Sequence, residues 1–149
     1  MAQEKAPVVV SENGRGPYQQ TVRLGRHTLI ADEPLAMGGE DAGPEPMDFL
    51  LAGLGACTSI TLRMYAQHKS WPLTGVSVAL IHDKLDLDNG RGTVDRIARV
   101  ITLEGELTAE QRQRLLAIAN KCPMHRTLQS DTRIDSRLSD LCAAAANAA

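Results

Sequence analysis

The chain of 149 residues points to an α+β domain with antiparallel sheets packed on a long buried central helix. One observation is an apolar stretch near the middle, "PMDFLLAGLGACTSITLRMYAQHK", long enough for several helical turns. The others are segments alternating apolar and polar residues around hairpin signals, and a second helical segment opened by a capping box. Strands, a buried helix, strands and a second helix make an α+β order, and no repeat occurs at a solenoid period. One domain is expected over residues 1–142, with an Ala-rich tail at 143–149 and Cys142 at its root.

"YQQTVRLGRHTLIADE" predicts a hairpin turning at Gly25 and Arg26. "PLAMGGEDAGPEP" is a loop rich in proline, glycine and acid, whose Glu40, Asp41 and Glu45 read as solvated charges. From Pro46 a helix begins, since proline suits a first turn, and "SWP" ends it near Ser70. Its middle is apolar on every side, as in helices that are buried. Gly53, Gly55 and Ala56 permit close approach of another element just before Cys57, and either one helix or a helix broken at the glycines fits.

"GVSVALIHDKLDL" and "VDRIARVITLEGEL" flank Asn89-Gly90 as a second hairpin, with Ile97, Ile101 and Leu103 on one face and Arg96 on the other. Thr108 and Gln111 stand at capping-box spacing, and Leu115, Ile118 and Ala119 supply an apolar stripe. Pro123 stops that helix and can open a short one, and "TRIDSRL" reads as a last strand.

A net charge of −2, no clustered basic patch and few aromatic residues argue against nucleic-acid binding. No signal-like leader and no uncharged run of bilayer length are evident, so no membrane association and a cytoplasmic location are expected. Three cysteines, an odd number, argue against a disulfide scaffold, and in a reducing compartment they are thiols.

Cys57 is either a small core hydrophobe or a reactive thiol. Cys122 directly precedes Pro123, where a helix N-terminus offers N–H groups to a thiolate, and Lys121, His125 and Arg126 would act the same way if they face the sulfur. The alternative for Cys122 is a capping residue without special chemistry. Cys122 and His125 also have the spacing of half a metal site, but no second pair recurs; a metal-dependent hydrolase is the weakest reading. Cys57 and Cys122 are too distant in sequence for a C-x-x-C motif. If they meet in space, one thiol could become sulfenic acid and the other condense with it.

The stretch "ADEPLAMGGEDAGPEPMDFLLAGLGACTSITLRMYA", followed after a hairpin by "LTAEQRQRLLAIANKCPMHRTL", resembles the OsmC/Ohr family of osmotically inducible proteins and organic hydroperoxide resistance proteins. The similarity runs from about Tyr18 to about Leu138, and is nearest to the OsmC-like branch with "CP.HRTL". The resemblance implies an intertwined homodimer with shared sites, Cys57 as peroxidatic cysteine and Cys122 as resolving cysteine. It implies organic hydroperoxides as substrate, an external dithiol as reductant, and no cofactor or metal.

Two family positions differ. A glutamate stands ten residues before the reactive cysteine in the peroxidases; here that position is Met47, with Asp48 beside it as the candidate replacement. An N-terminal arginine also supports the thiolate in those proteins, and Arg23 and Arg26, with Arg15 nearby, are the candidates here. Loss of both groups would raise the pKa of a desolvated thiol. The alternative function is therefore a pocket for a small apolar ligand, or a redox sensor, without efficient peroxidase activity.

Overall fold

The computed structural model describes residues 6–88 and 90–139. Cys142, the tail and Asn89 lie outside the described residues. Three strands come first, β1 (Val8–Glu12), β2 (Gln20–Leu24) and β3 (His27–Ala31), forming an antiparallel sheet in that order. The β2–β3 hairpin turns at Gly25 and Arg26 as its sequence predicts, with Gly25 at φ 59°, a left-handed conformation suited to glycine. β1, which the alternation did not announce, pairs along β2 with Val10 opposite Val22.

The loop after β3 is organised by Asp32, which is buried. Its carboxylate accepts N–H bonds from Glu33 (2.8 Å), Glu40 (3.2 Å) and Ala42 (3.1 Å). At Gly39 an added Cβ would lie 2.0 Å from the Glu33 carbonyl oxygen, so only glycine lets this loop close on itself. The acidic side chains singled out in the sequence are peripheral here, and the organising acid is the one before them.

Helix α1 (Pro46–His68) is continuous, so the glycines do not break it. Proline occupies its first turn and Asp48 places an acid at the positive end of its dipole. Leu54, Thr58, Leu62 and Ala66 recur every four residues and are buried. The opposite stripe, Ala52, Ala56, Ile60 and Met64, is exposed within this chain, with Ile60 and Met64 at 59% and 64%. The helix is thus apolar all round, yet one chain covers only one of its sides.

Strands β4 (Gly75–Asp86) and β5 (Thr93–Glu104) form the second hairpin, with Leu80 opposite Arg99 and Val78 opposite Ile101. Their inner face packs on α1, and Gly55 allows contact with Leu80, whose Cδ1 would be 2.9 Å from an added Cβ. Helix α2 (Ala109–Ala119) starts with the capping box foreseen at Thr108 and Gln111, both reciprocal bonds being present. Its Leu115 and Ala119 join Leu62, Ala66 and Leu73 in the core. Helix α3 (Pro123–Gln129) follows at once.

The expected strand at Thr132–Leu138 is not formed: this segment has no regular structure, and Ile134 and Leu138 are 84% and 97% exposed. A strand requires a partner edge, and among the described residues none pairs with this segment. The β1–β3 sheet likewise packs little against the helices or the β4–β5 hairpin.

Candidate functional site

The two thiols that are 65 residues apart in the sequence meet where α1 passes the α2–α3 corner. Cys57 stands on α1, half-buried, one turn beyond Leu54; Cys122 is fully buried and caps α3. Both are free thiols, and Cys57 lies near enough to Cys122 to help hold its thiol below the usual range. Pro123 makes this geometry possible, because it forces Cys122 into an extended conformation (φ −62°, ψ 147°) at the helix start. The His125 N–H then points back and donates to Cys122 Sγ at 3.4 Å.

Thr58, next to Cys57, places its hydroxyl 3.7 Å from the same sulfur. That hydroxyl accepts from Arg99 Nη1 at 2.8 Å, and its one proton can go to the Leu54 carbonyl at 2.8 Å or, once Cys122 is ionised, to that sulfur. Arg99 reaches in from β5 and is held in place by several partners. It donates to the Ala119 carbonyl at 3.4 Å and to Asn120 Oδ1 at 2.9 Å, and its Nη2 lies 3.4 Å from His125 Nδ1.

These contacts act on the charge state of Cys122. Burial pushes the Cys122 thiol up, but the His125 N–H, the Thr58 hydroxyl, the Cys57 thiol and the Arg99 charge together outweigh it and hold Cys122 below the usual thiol range. The activated sulfur is the buried one, and the accessible one is Cys57.

Among the candidates from the sequence, Cys57 and Cys122 come together; the supporting residues do not join them. Asp48 lies nine residues ahead of Cys57, about 900° around and about 13 Å along an ideal helix, which puts it on the opposite side. It borders a loop pocket with Asp41 and Glu45. Arg23 is exposed on β2 opposite Val9 and Thr28, and Arg26 is exposed in the hairpin turn. The sheet that carries both packs little on α1, so neither arginine supports the thiols of its own chain. Within this chain the cation beside the thiols is Arg99. The signal was in the alternation of β5: residues 97, 99, 101 and 103 share a face, and Arg99 is the charged member of an otherwise apolar row.

A family model described as OsmC-like protein matches residues 38–137. The chain belongs to the OsmC-like family. Solved structures agree with this on fold. An OsmC like protein from Mycoplasma pneumoniae superposes with a TM-score of 0.67 at 18% identity, covering 88% of this chain and 91% of that one. An organic hydroperoxide resistance protein OsmC from Legionella pneumophila gives 0.62 at 20% identity, with 85% and 91% covered. A Psychrobacter arcticus protein, provisionally named for osmotic stress and detoxification response, gives 0.70 at 17%, with 87% and 92% covered. No curated protein matches the chain significantly.

Proposed function

We propose that this OsmC-like protein is a thiol-dependent peroxidase that reduces organic hydroperoxides, with Cys57 as nucleophile and Cys122 as resolving thiol. The observation that carries the reading is the meeting of an accessible thiol with a buried, charge-stabilised one. Cys122 thiolate accepts the Cys57 proton as the Cys57 sulfur attacks the terminal peroxide oxygen. The O–O bond breaks, the alkoxide leaves and is protonated by solvent, and Cys57 becomes a sulfenic acid. Cys122 sulfur then attacks Cys57 sulfur and the S–O bond breaks. Hydroxide leaves, taking the Cys122 proton as water, and a disulfide remains. An external dithiol supplies the two electrons that restore both thiols, becoming a disulfide itself. A cytoplasmic location would keep that reductant at hand.

The working form is an intertwined homodimer. Exposed apolar residues on α1, on the outer face of the β4–β5 hairpin (Ile81 65%, Val100 66%) and on β1 (Val8 and Val10, each 56%) support it, as does the poorly covered β1–β3 sheet. In such a dimer Arg23 or Arg26 would approach the partner's thiols rather than its own.

The test is consumption of cumene hydroperoxide with a dithiol reductant. Cys57→Ser should abolish it, while Cys122→Ser should leave oxidation of Cys57 without the intramolecular disulfide found by peptide mass in the parent protein. Full turnover by Cys57→Ser would overturn the assignment. A ligand-binding or redox-sensing role is the second reading, favoured by the placement of Asp48 away from Cys57; it predicts slow oxidation with no Cys57–Cys122 preference.

A further inference from the structure

Behind the thiol pair, and lined by neither sulfur, is a cavity of about 420 Å³ between β5, α2 and α3. That volume lies within the range of small-molecule sites. Leu54, Ile97, Ile101, Leu116 and Leu128 make its apolar wall, and the polar groups of Arg99, Asn120 and His125 converge on it. Its positive charge comes from Arg99. Arg99 is half-buried, and every group it bonds is a carbonyl, a hydroxyl, an amide or an imidazole.

Among the described residues no carboxylate pairs with Arg99, whereas Arg96 pairs with Asp83 and Arg133 with Asp135. Asp95, on the cavity lining, is engaged by His82 at 2.9 Å and Lys84 at 3.1 Å. A half-buried guanidinium whose hydrogen-bond partners are all neutral lends the cavity a positive potential, and hydrocarbon lies around it. The fit is to an amphipathic anion.

We propose that this cavity binds a small monocarboxylate with a short hydrocarbon body, its carboxylate on Arg99 beside Asn120 and its chain against the apolar wall. The site is distinct from the reacting sulfurs, and its occupation does not depend on the peroxidase reading. Arg99 couples the two places. A bound carboxylate competes with Thr58 for Nη1 and brings negative charge towards Cys122, so it disfavours the Cys122 thiolate.

Octanoate is a suitable probe, with octanol and octylamine as controls, titrated calorimetrically into the full-length Cys57→Ser protein, which has no peroxidase chemistry to confuse the outcome. Octanoate should saturate one site per chain and bind at least about tenfold more tightly than octanol, a difference of about 1.4 kcal/mol. Arg99→Met should remove that preference. Leu116→Trp, which fills the cavity and keeps the guanidinium, should abolish binding while leaving the fold intact by circular dichroism. In the same protein octanoate should move the appearance of Cys122 thiolate absorbance to higher pH. Absence of saturable binding, equal affinity for octanoate and octanol, or undiminished binding by Leu116→Trp would each overturn the proposal. Loss of hydroperoxide turnover in the parent protein would bear on the peroxidase reading alone.

Discussion

Replacing Arg99 by Met tests the electrostatics of the site most directly, because methionine keeps much of the bulk and removes the charge. The 2.8 Å and 3.7 Å legs through Thr58 Oγ1, laid end to end, place Arg99 Nη1 no farther than about 6.5 Å from Cys122 Sγ. At an effective dielectric of about 20, a unit charge at that separation stabilises a thiolate by about 2.5 kcal/mol. Solvent around the half-exposed guanidinium screens roughly half of this, leaving about 1 kcal/mol. The measurement is ultraviolet thiolate absorbance against pH in a protein where Cys57 and Cys142 are Ser, so that Cys122 titrates alone. Arg99→Met should raise its pKa and slow closure of the disulfide at neutral pH in the protein that retains both thiols. Arg99→Lys should fall between, since a point charge keeps the field but loses the fork that holds Thr58 and Asn120 together. An unchanged titration in a folded Arg99→Met protein would refute the relay through Thr58.

Other predictions follow from the packing. Leu62 is fully buried at the α1–α2 contact, so Leu62→Ala should cost about 2–5 kcal/mol in denaturant unfolding, whatever happens to the thiols. Burial pushes the Asp32 carboxyl up, but the N–H groups of Ala42, Glu33 and Glu40 outweigh it and hold the carboxyl below the usual range. Its folded pKa is therefore the lower one: the stabilisation is complete above about pH 4 and is lost as pH falls through the folded value. Asp32→Asn should lower the denaturation midpoint near neutrality and flatten its acid dependence. Charges on the outer stripe of α1, as in Ile60→Glu with Met64→Glu, should convert a sedimenting dimer to monomer; a parent protein that sediments as a monomer would remove the intertwined assembly.

Much of the fold was legible because local chemistry and tertiary need agree. The two hairpins carry glycine at turns with positive φ, and α2 carries a capping box whose two bonds form as the spacing demands. The proline after Cys122 both ends one helix and begins the next. What failed was of another kind. "TRIDSRL" has the residues of a strand, but strand formation depends on an edge supplied from elsewhere, which local pattern does not encode. The burial of α1 shows the same limit: composition says that all sides need covering, and only the assembly decides which chain covers which side.

The site divides along the same line. That Cys57 and Cys122 would lie near each other followed from the family resemblance and not from local pattern, and the N–H donation from His125 follows from the C–P sequence at a helix start. Within one chain the charge nearest the thiols is not at Asp48, Arg23 or Arg26, the positions to which the family pattern directs attention. It lies on a strand whose alternation already marked it, since a cation in the apolar row of β5 must either snorkel to solvent or satisfy something inside. Arg99 does the second, through a threonine adjacent to one cysteine and facing the other. A residue that breaks the hydrophobic pattern of its own strand is costly to fold around unless its charge is used. In this chain the group that uses it is the Cys122 sulfur, so moving the cation along β5 by one residue, to the outer face, should raise the Cys122 pKa and slow disulfide closure as Arg99→Met does, without disturbing the sheet that carries it.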